Sequence, residues 1–319
     1  MTHISIIIPV RRGGKVLALH ALKLRNQEHL TQFEILVAEG SAPSRQRNLA
    51  AAAATGEVLY FLDDDSMISD QSLCICLRAF EDENVAVAGG PSLTPDDSPP
   101  LQQLFGLALQ SRFGSGAMRF RYQSSGVTRL TSERELILCN LAIRRSVFQD
   151  MGGFDERLYP NEENELLERI VAAGHTVLHN PDMTVTRNQR PTLQAFIRQM
   201  FGYGRGRAQQ LLLSGKSPVI SFVPLFFLVY VAFLPFLPAQ NFLSALPLCL
   251  YSILDVAFTI LALCTSGRFV AMGLTILFPI MHLANGFGLL YGLVRGKPLR
   301  RSDESITVRC IKAFDQAEW

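Results

Sequence analysis

Charge is almost missing from one long stretch, residues 218–294, of this 319-residue chain. Between Pro218 and Val294, Asp255 and Arg268 are the only formally charged residues. A helix of a water-soluble bundle keeps a polar face, and helices drawn from this stretch would not have one. The stretch breaks into three apolar runs, Pro218–Pro238, Leu243–Cys264 and Phe269–Val294. Each reaches the about 20 residues that cover the hydrocarbon core of a bilayer.

Other features are missing too. A leader sequence is not visible: the apolar run Ile4–Val10 is too short, and Arg11 and Arg12 follow it instead of preceding it. The N-terminal part is therefore expected in the cytosol. Cysteines in metal-site spacing are also absent. Of the six, Cys74 and Cys76 are too close together and Cys249 and Cys264 fall in apolar runs, so neither disulfides nor zinc are expected. The net charge of +2 gives no footing for a nucleic-acid partner, and none is expected.

Where charge does occur near the apolar block, it is basic. Arg198, Arg205, Arg207 and Lys216 precede the block, and Arg295, Lys297, Arg300 and Arg301 follow it. Both clusters read as cytoplasmic flanks. Three crossings would put them on opposite sides. The prolines of the first run, Pro218, Pro224, Pro235 and Pro238, leave a re-entrant first segment and two crossings as the alternative.

The part before the block reads as α/β. "ISIIIPV" (Ile4–Val10), "FEILVAEG" (Phe33–Gly40) and "EVLYFL" (Glu57–Leu62) are short apolar runs suited to strands buried on both faces. Helical stretches separate them, including "SRQRNLAAAAATG", expected to close at Gly56. Alternating strands and helices predict a mostly parallel sheet, and ligands of such sheets sit outside the carboxyl ends of the strands. Glu39 and the triplet Asp63, Asp64, Asp65 stand at such ends. Three adjacent carboxylates repel one another unless something cationic joins them. Asp63 and Asp65 offer hard oxygen ligands suited to Mg²⁺ or Mn²⁺, which share their coordination with a substrate phosphate. The plainer alternative is one helix-capping aspartate beside two solvated ones.

Taken in order, "ISIIIPV", "EILVAEG", "RQRNLAAAAATGEVLYFLDDD", "LCNLAIRRSVFQDMGGFDE" and "NEENELLERIVAAG" resemble the segments of family 2 glycosyltransferases with a GT-A fold. The likeness covers about residues 4–210. With "RQMFGYGRGR" and the apolar helices, it is similar to the membrane-associated subgroup that builds bacterial exopolysaccharide of the succinoglycan type. The resemblance implies a nucleotide-diphosphate sugar as donor, with Pro9 ending the first strand beside the nucleotide and Glu39 at the base or ribose. Arg47 and Asn48 would lie near the donor, and Asp64 beside it. Asp63 and Asp65 would bind the metal as a DxD motif. Asn140 and Asp155 would lie by the sugar. Gln199, Arg205 or Arg207 would offset the diphosphate charge. The sequence departs from the pattern at Ala38-Glu39-Gly40-Ser41, where the family often has Asp-Asp-Gly-Ser.

A second acidic site opens the helix at "NEENELLERIVAAG". Glu162 and Glu163 stand where the helix dipole favours carboxylates, which is also the bland explanation for them. Sugar transfer needs a carboxylate to take the proton of the attacking hydroxyl. The resemblance implies Glu163 as that base, with Glu162 as the alternative.

The expected organisation is a cytosolic catalytic domain (1–190), an amphipathic interface helix (191–217), a transmembrane region (218–294) and a basic tail (295–319). The expected protein is a multi-pass enzyme of the inner membrane. It would transfer sugar, with inversion, to a polyprenyl-linked saccharide. The Q-x-x-R-W form of processive synthases is missing, which favours one sugar per event. Transfer to polyprenyl phosphate or another lipid, and a non-catalytic nucleotide-sugar-binding scaffold, are the competing readings.

Overall fold

The computed structural model describes residues 2–25, 32–124, 126–215, 219–236, 242–298, 305–314 and 316. Lys216, Pro218, Pro238, Arg300 and Arg301 lie outside the described residues. In chain order the elements begin β1 (Ile4–Arg11), α1 (Leu17–Arg25), β2 (Phe33–Gly40), α2 (Pro43–Ala53), β3 (Val58–Leu62) and β4 (Met67–Ile68). They continue with α3 (Ser72–Ala79), β5 (Val85–Gly89), β6 (Ser92–Leu93), α4 (Pro100–Gln110), α5 (Arg112–Ser115), β7 (Arg129–Leu130) and β8 (Asn140–Arg144). Then come α6 (Arg145–Asp150), α7 (Glu162–Ala172), β9 (Thr176–His179), β10 (Val185–Thr186) and α8 (Leu193–Ser214). The last are α9 (Val223–Phe233), α10 (Phe242–Ser266), α11 (Leu274–Arg295) and β11 (Thr307–Lys312).

The chain forms two compact units, one of residues 1–93, 120–187 and 299–319, the other of 94–119 and 188–298. This differs from a boundary near 190. The first unit carries an eight-stranded sheet in the order β11-β2-β1-β3-β8-β5-β9-β7. The part around β1 is parallel, β2 and β3 flanking it. The sheet as a whole is mixed, because β8 runs antiparallel between β3 and β5. The last segment is not a free basic tail: β11 lies antiparallel on the outer edge of β2. Lys312 anchors it, fully buried, its Nζ donating to the Phe33 carbonyl at 2.8 Å.

The predicted strands form because their runs of Ile, Val, Leu and Phe are covered on both faces. One face of the core gathers Leu59, Phe61, Val87, Leu141, Phe148, Phe154 and Leu166. Phe61, Phe148 and Phe154 meet at ring distances of 5.1–5.5 Å. Each such buried side chain contributes roughly 1.5–3 kcal/mol. Helix α2 starts with Pro43 at its first turn and lays Ala50 and Ala51 on the sheet. It stops at Ala54, in extended conformation, before Gly56 is reached. Gly56 is needed for another reason: a Cβ there would stand 2.7 Å from Ser5 Oγ and 2.9 Å from the His3 carbonyl.

In the second unit, α8 begins at Thr192, whose side chain accepts from the Ala195 N–H, and ends at Gly215 with φ +69°. Its buried face (Phe196, Met200, Gly204, Ala208) packs along α11. The backbones nearly touch where Gly204 meets Asn285 and where Gly288 meets Phe201. Three helical segments are long and apolar enough to cross a membrane by length and composition: Val219–Phe236, Leu243–Ser266 and Phe269–Arg295.

Candidate active site

The carboxyl ends of β1, β2 and β3 open on one side of the sheet, as their parallel register requires. Pro9 does not end β1, which runs on to Arg11. It sits past Ile7–Phe61, the last β1–β3 pair, where β1 has β2 as its neighbour and a missing donor costs least. Gln46 splints these ends, donating to the Val10 carbonyl at 2.9 Å and the Ala38 carbonyl at 2.6 Å. Glu39 Oε1 accepts from the Gly13 N–H at 2.8 Å, and Arg309 of β11 stands 3.6 Å from Oε2. The glutamate therefore fixes the turn after β1 from the strand end where it was expected.

The aspartate triplet is joined by cations of the protein itself. Arg47 Nη2 lies 2.8 Å from Asp63 Oδ1, and Arg187 Nη1 lies 2.5 Å from Oδ2. Arg187 Nε also stands 3.8 Å from Asp65, whose side chain is half-exposed. Burial pushes Asp63 upward, but Arg187 and Arg47 outweigh it and hold the carboxyl below the usual range. Asp64 goes the other way: burial, then the charges of Asp65 and Asp63, raise it. Arg187 follows β10, and its N–H donates to Leu93 beside it in the small sheet β4-β10-β6. Its signal in the sequence is faint, the first of two arginines in "VTRNQR", more than 120 residues from its partners.

At the start of α7 the two glutamates separate in role. Glu162 is 2% exposed and pairs with Arg47 Nη1 at 3.1 Å. Burial raises its carboxyl well above the usual range against the pull of Arg47, and the charge of Glu163 adds to the rise. Glu163 is held through one oxygen, Oε1, by Arg121 at 3.3 Å and by the Asn164 amide at 3.2 Å. Arg121 also bonds Asn164 and the carbonyls of Glu133 and Arg134. It was not singled out in the sequence, where nothing in "RFRY" marks it.

Several residues expected as donor or sugar contacts brace the fold. Asn48 donates to the Phe154 carbonyl and accepts from the Phe154 N–H, at 2.9 and 3.0 Å, pinning the Gly-Gly-Phe turn. Asn140 is fully buried, accepting from Tyr60 Oη at 2.7 Å and donating to the Met183 carbonyl at 2.6 Å. Both ends of its amide are thus committed inside the fold. Arg47 is likewise an internal clamp. Asp155 is closed by Arg157 at 2.7 Å, whose bonds override burial and lower its carboxyl. Gln199, Arg205 and Arg207 belong to the helical unit. There Gln199 bonds Tyr203 at 2.7 Å and Arg207 bonds Gln210 at 3.2 Å.

Residues 58–291 match the model of Glycosyl transferase family group 2. The chain belongs to that family. This glycosyltransferase is 24% identical over 274 residues to the succinoglycan biosynthesis protein ExoA of Rhizobium meliloti, covering 76% of the chain and 80% of the relative. It is 24% identical over 163 residues to the O-antigen chain rhamnosyltransferase WbaN of Salmonella anatum, half of each chain. Its fold matches a mannosyltransferase of Pyrobaculum calidifontis, in complex with GDP-Man and Mn²⁺, with a TM-score of 0.59. The identity is 13%, and the match covers 91% of this chain and 87% of that one. The architecture is thus a GT-A-like α/β fold followed by apolar helices.

Among the described residues of the glycosyltransferase no three His, Cys, Asp or Glu side chains form a metal cage. A Mg²⁺ or Mn²⁺ ion that takes one or two carboxylates and fills its other positions with water and phosphate does fit the turn. Asp65 is the suited ligand. Asp63, expected as the second, has each oxygen on a guanidinium.

Proposed function

We propose that the protein is an inverting, metal-dependent glycosyltransferase of polysaccharide biosynthesis. Its donor is a nucleotide-diphosphate sugar and its acceptor a saccharide held in the membrane on a polyprenyl carrier. The sheet-bearing unit does the chemistry on the cytosolic side, and the apolar helices hold the chain at the inner membrane. The observation that carries the reading is the unbroken run of pairs Asp65–Arg187–Asp63–Arg47–Glu162, which ties the strand-end acids to the start of α7. It ties the acidic turn that would hold the metal to the helix start that carries the proton acceptor. The names of ExoA, WbaN and the mannosyltransferase bound to GDP-Man and Mn²⁺ support the same reaction class.

Glu163 is the base. Arg121 and Asn164 fix Oε1, so Oε2 takes the proton as the acceptor hydroxyl attacks the anomeric carbon. Glu162 is committed to Arg47 and holds it against Asp63. A divalent cation bound at Asp65 would supply charge stabilisation to the departing diphosphate. Arg187, close by, adds a fixed positive charge to the same place.

The test uses membranes containing the full chain, a panel of radiolabelled nucleotide sugars and polyprenyl-linked acceptors. Asp65→Ala and Glu163→Gln should both abolish transfer, the first with weaker donor binding and the second with donor binding intact. Unchanged turnover in Glu163→Gln removes that residue from the base role.

A further inference from the structure

The third apolar segment, Phe269–Arg295, satisfies every compositional test for a membrane crossing. Its attachments say otherwise. Arg268, immediately before it, donates to Asp96 at 2.7 Å, and Gly273 lies against Leu104. Asp96 is three residues past Leu93 of β6, at most about 11 Å of extended chain. A hydrocarbon core of about 30 Å cannot lie between them. The segment therefore begins on the side of the membrane that holds the sheet.

It also ends there. From Gly296 to Ile306 the sequence carries Lys297, Arg300, Arg301, Asp303 and Glu304, which bars that stretch from hydrocarbon. Thr307 then opens β11, paired with β2 in the sheet. A helix of 22 residues, about 33 Å along its axis and with Pro279 in its second turn, whose two ends are on one side lies along the surface.

Two further observations agree. Helix α11 runs beside α8 over successive turns, Gly288 against Phe201, Gly204 against Asn285, and Gly292 against Ala208 and Arg205. Helix α8 carries Arg198, Arg205 and Arg207, so it has no place at the depth of a bilayer centre. And α11 has two faces. Leu277, Phe278, Met281 and Leu289 pack inward, while Ile276, Phe287, Leu290, Tyr291 and Val294 form one exposed apolar stripe.

We infer that α11 is an in-plane helix that docks this stripe into the cytosolic leaflet, and that the membrane is crossed by Val219–Phe236 and Leu243–Ser266 as a pair or not at all. The occupant of the stripe is lipid: Arg268 and Arg295 flank it where headgroup phosphates lie, and it is continuous with the apolar spans. The inference does not depend on the sugar-transfer reading.

Spin labels on Ile276→Cys, Phe287→Cys and Val294→Cys test it, in a cysteine-free chain reconstituted in phosphatidylethanolamine–phosphatidylglycerol vesicles. All three positions are at least half-exposed, so labels there disturb no packing. Collision with oxygen and with a nickel chelate should report one shallow depth for all three. A monotonic change of depth from 276 to 294 overturns the proposal. As a second measurement, Ser266→Cys and Ser305→Cys should react with an impermeant maleimide from the same face of the vesicle. Labelling from opposite faces also overturns it.

Discussion

Arg47 holds Asp63 with one guanidinium nitrogen at 2.8 Å and Glu162 with the other at 3.1 Å, so one side chain joins the end of β3 to the start of α7. Almost all of it is buried, and neither acid has another partner so central to both sites. Replacing it exposes what the two acids do to each other.

Arg47→Ala should therefore destabilise the sheet-bearing unit by about 3 kcal/mol, the cost of leaving buried charge uncompensated. Arg47→Lys should recover only part, since an ammonium cannot fork between two carboxylates. Denaturant unfolding of the detergent-solubilised protein measures both.

The carboxyl of Glu162 is raised in the folded state above its ordinary value. Between the unfolded and folded values the native state binds more protons, so this group's contribution to stability is full below the unfolded value and is lost as pH rises. Glu162→Gln should flatten the fall in stability between pH 4.5 and about 8. An unfolding series across that range, on wild type and variant, reads the difference.

Arg187 shares the turn with Asp63 and Asp65 and competes there with any other cation. Arg187→Gln should let the donor-free protein bind Mn²⁺ more tightly, by roughly tenfold for one removed charge at this distance. Calorimetry with Mn²⁺ alone shows it, and the same variant should bind the donor more weakly.

Asn48→Ala removes two bonds to the Phe154 backbone and should cost about 1–2 kcal/mol of stability. Donor affinity of the folded fraction should be unchanged, which separates a brace from a ligand contact.

Much of this site was legible in the sequence, for identifiable reasons. The buried strands announce themselves by β-branched runs, and acids at their carboxyl ends stand out against that background. Glu162 and Glu163 were visible because a helix start is recognisable from its spacing. Arg187 and Arg121 were not, since they reach their carboxylates across 124 and 42 residues with no local pattern to mark them. The bracing bonds of the asparagines were hidden for a related reason. Asn48 and Asn140 stand beside site residues in sequence, but their amides satisfy buried backbone groups, a demand that linear order does not reveal. The anchoring partners of Phe269–Arg295, Asp96 and Leu104, likewise lie far away in the chain and leave no local mark.

Because β11 is the sheet's edge and is translated after every apolar helix, β2 has an uncovered flank while the ribosome makes the intervening residues. Synthesis of all the apolar helices thus precedes completion of the sheet at β2. A chain stalled or clipped before Thr307 would keep β2 as an open edge, exposed to pairing with other strands.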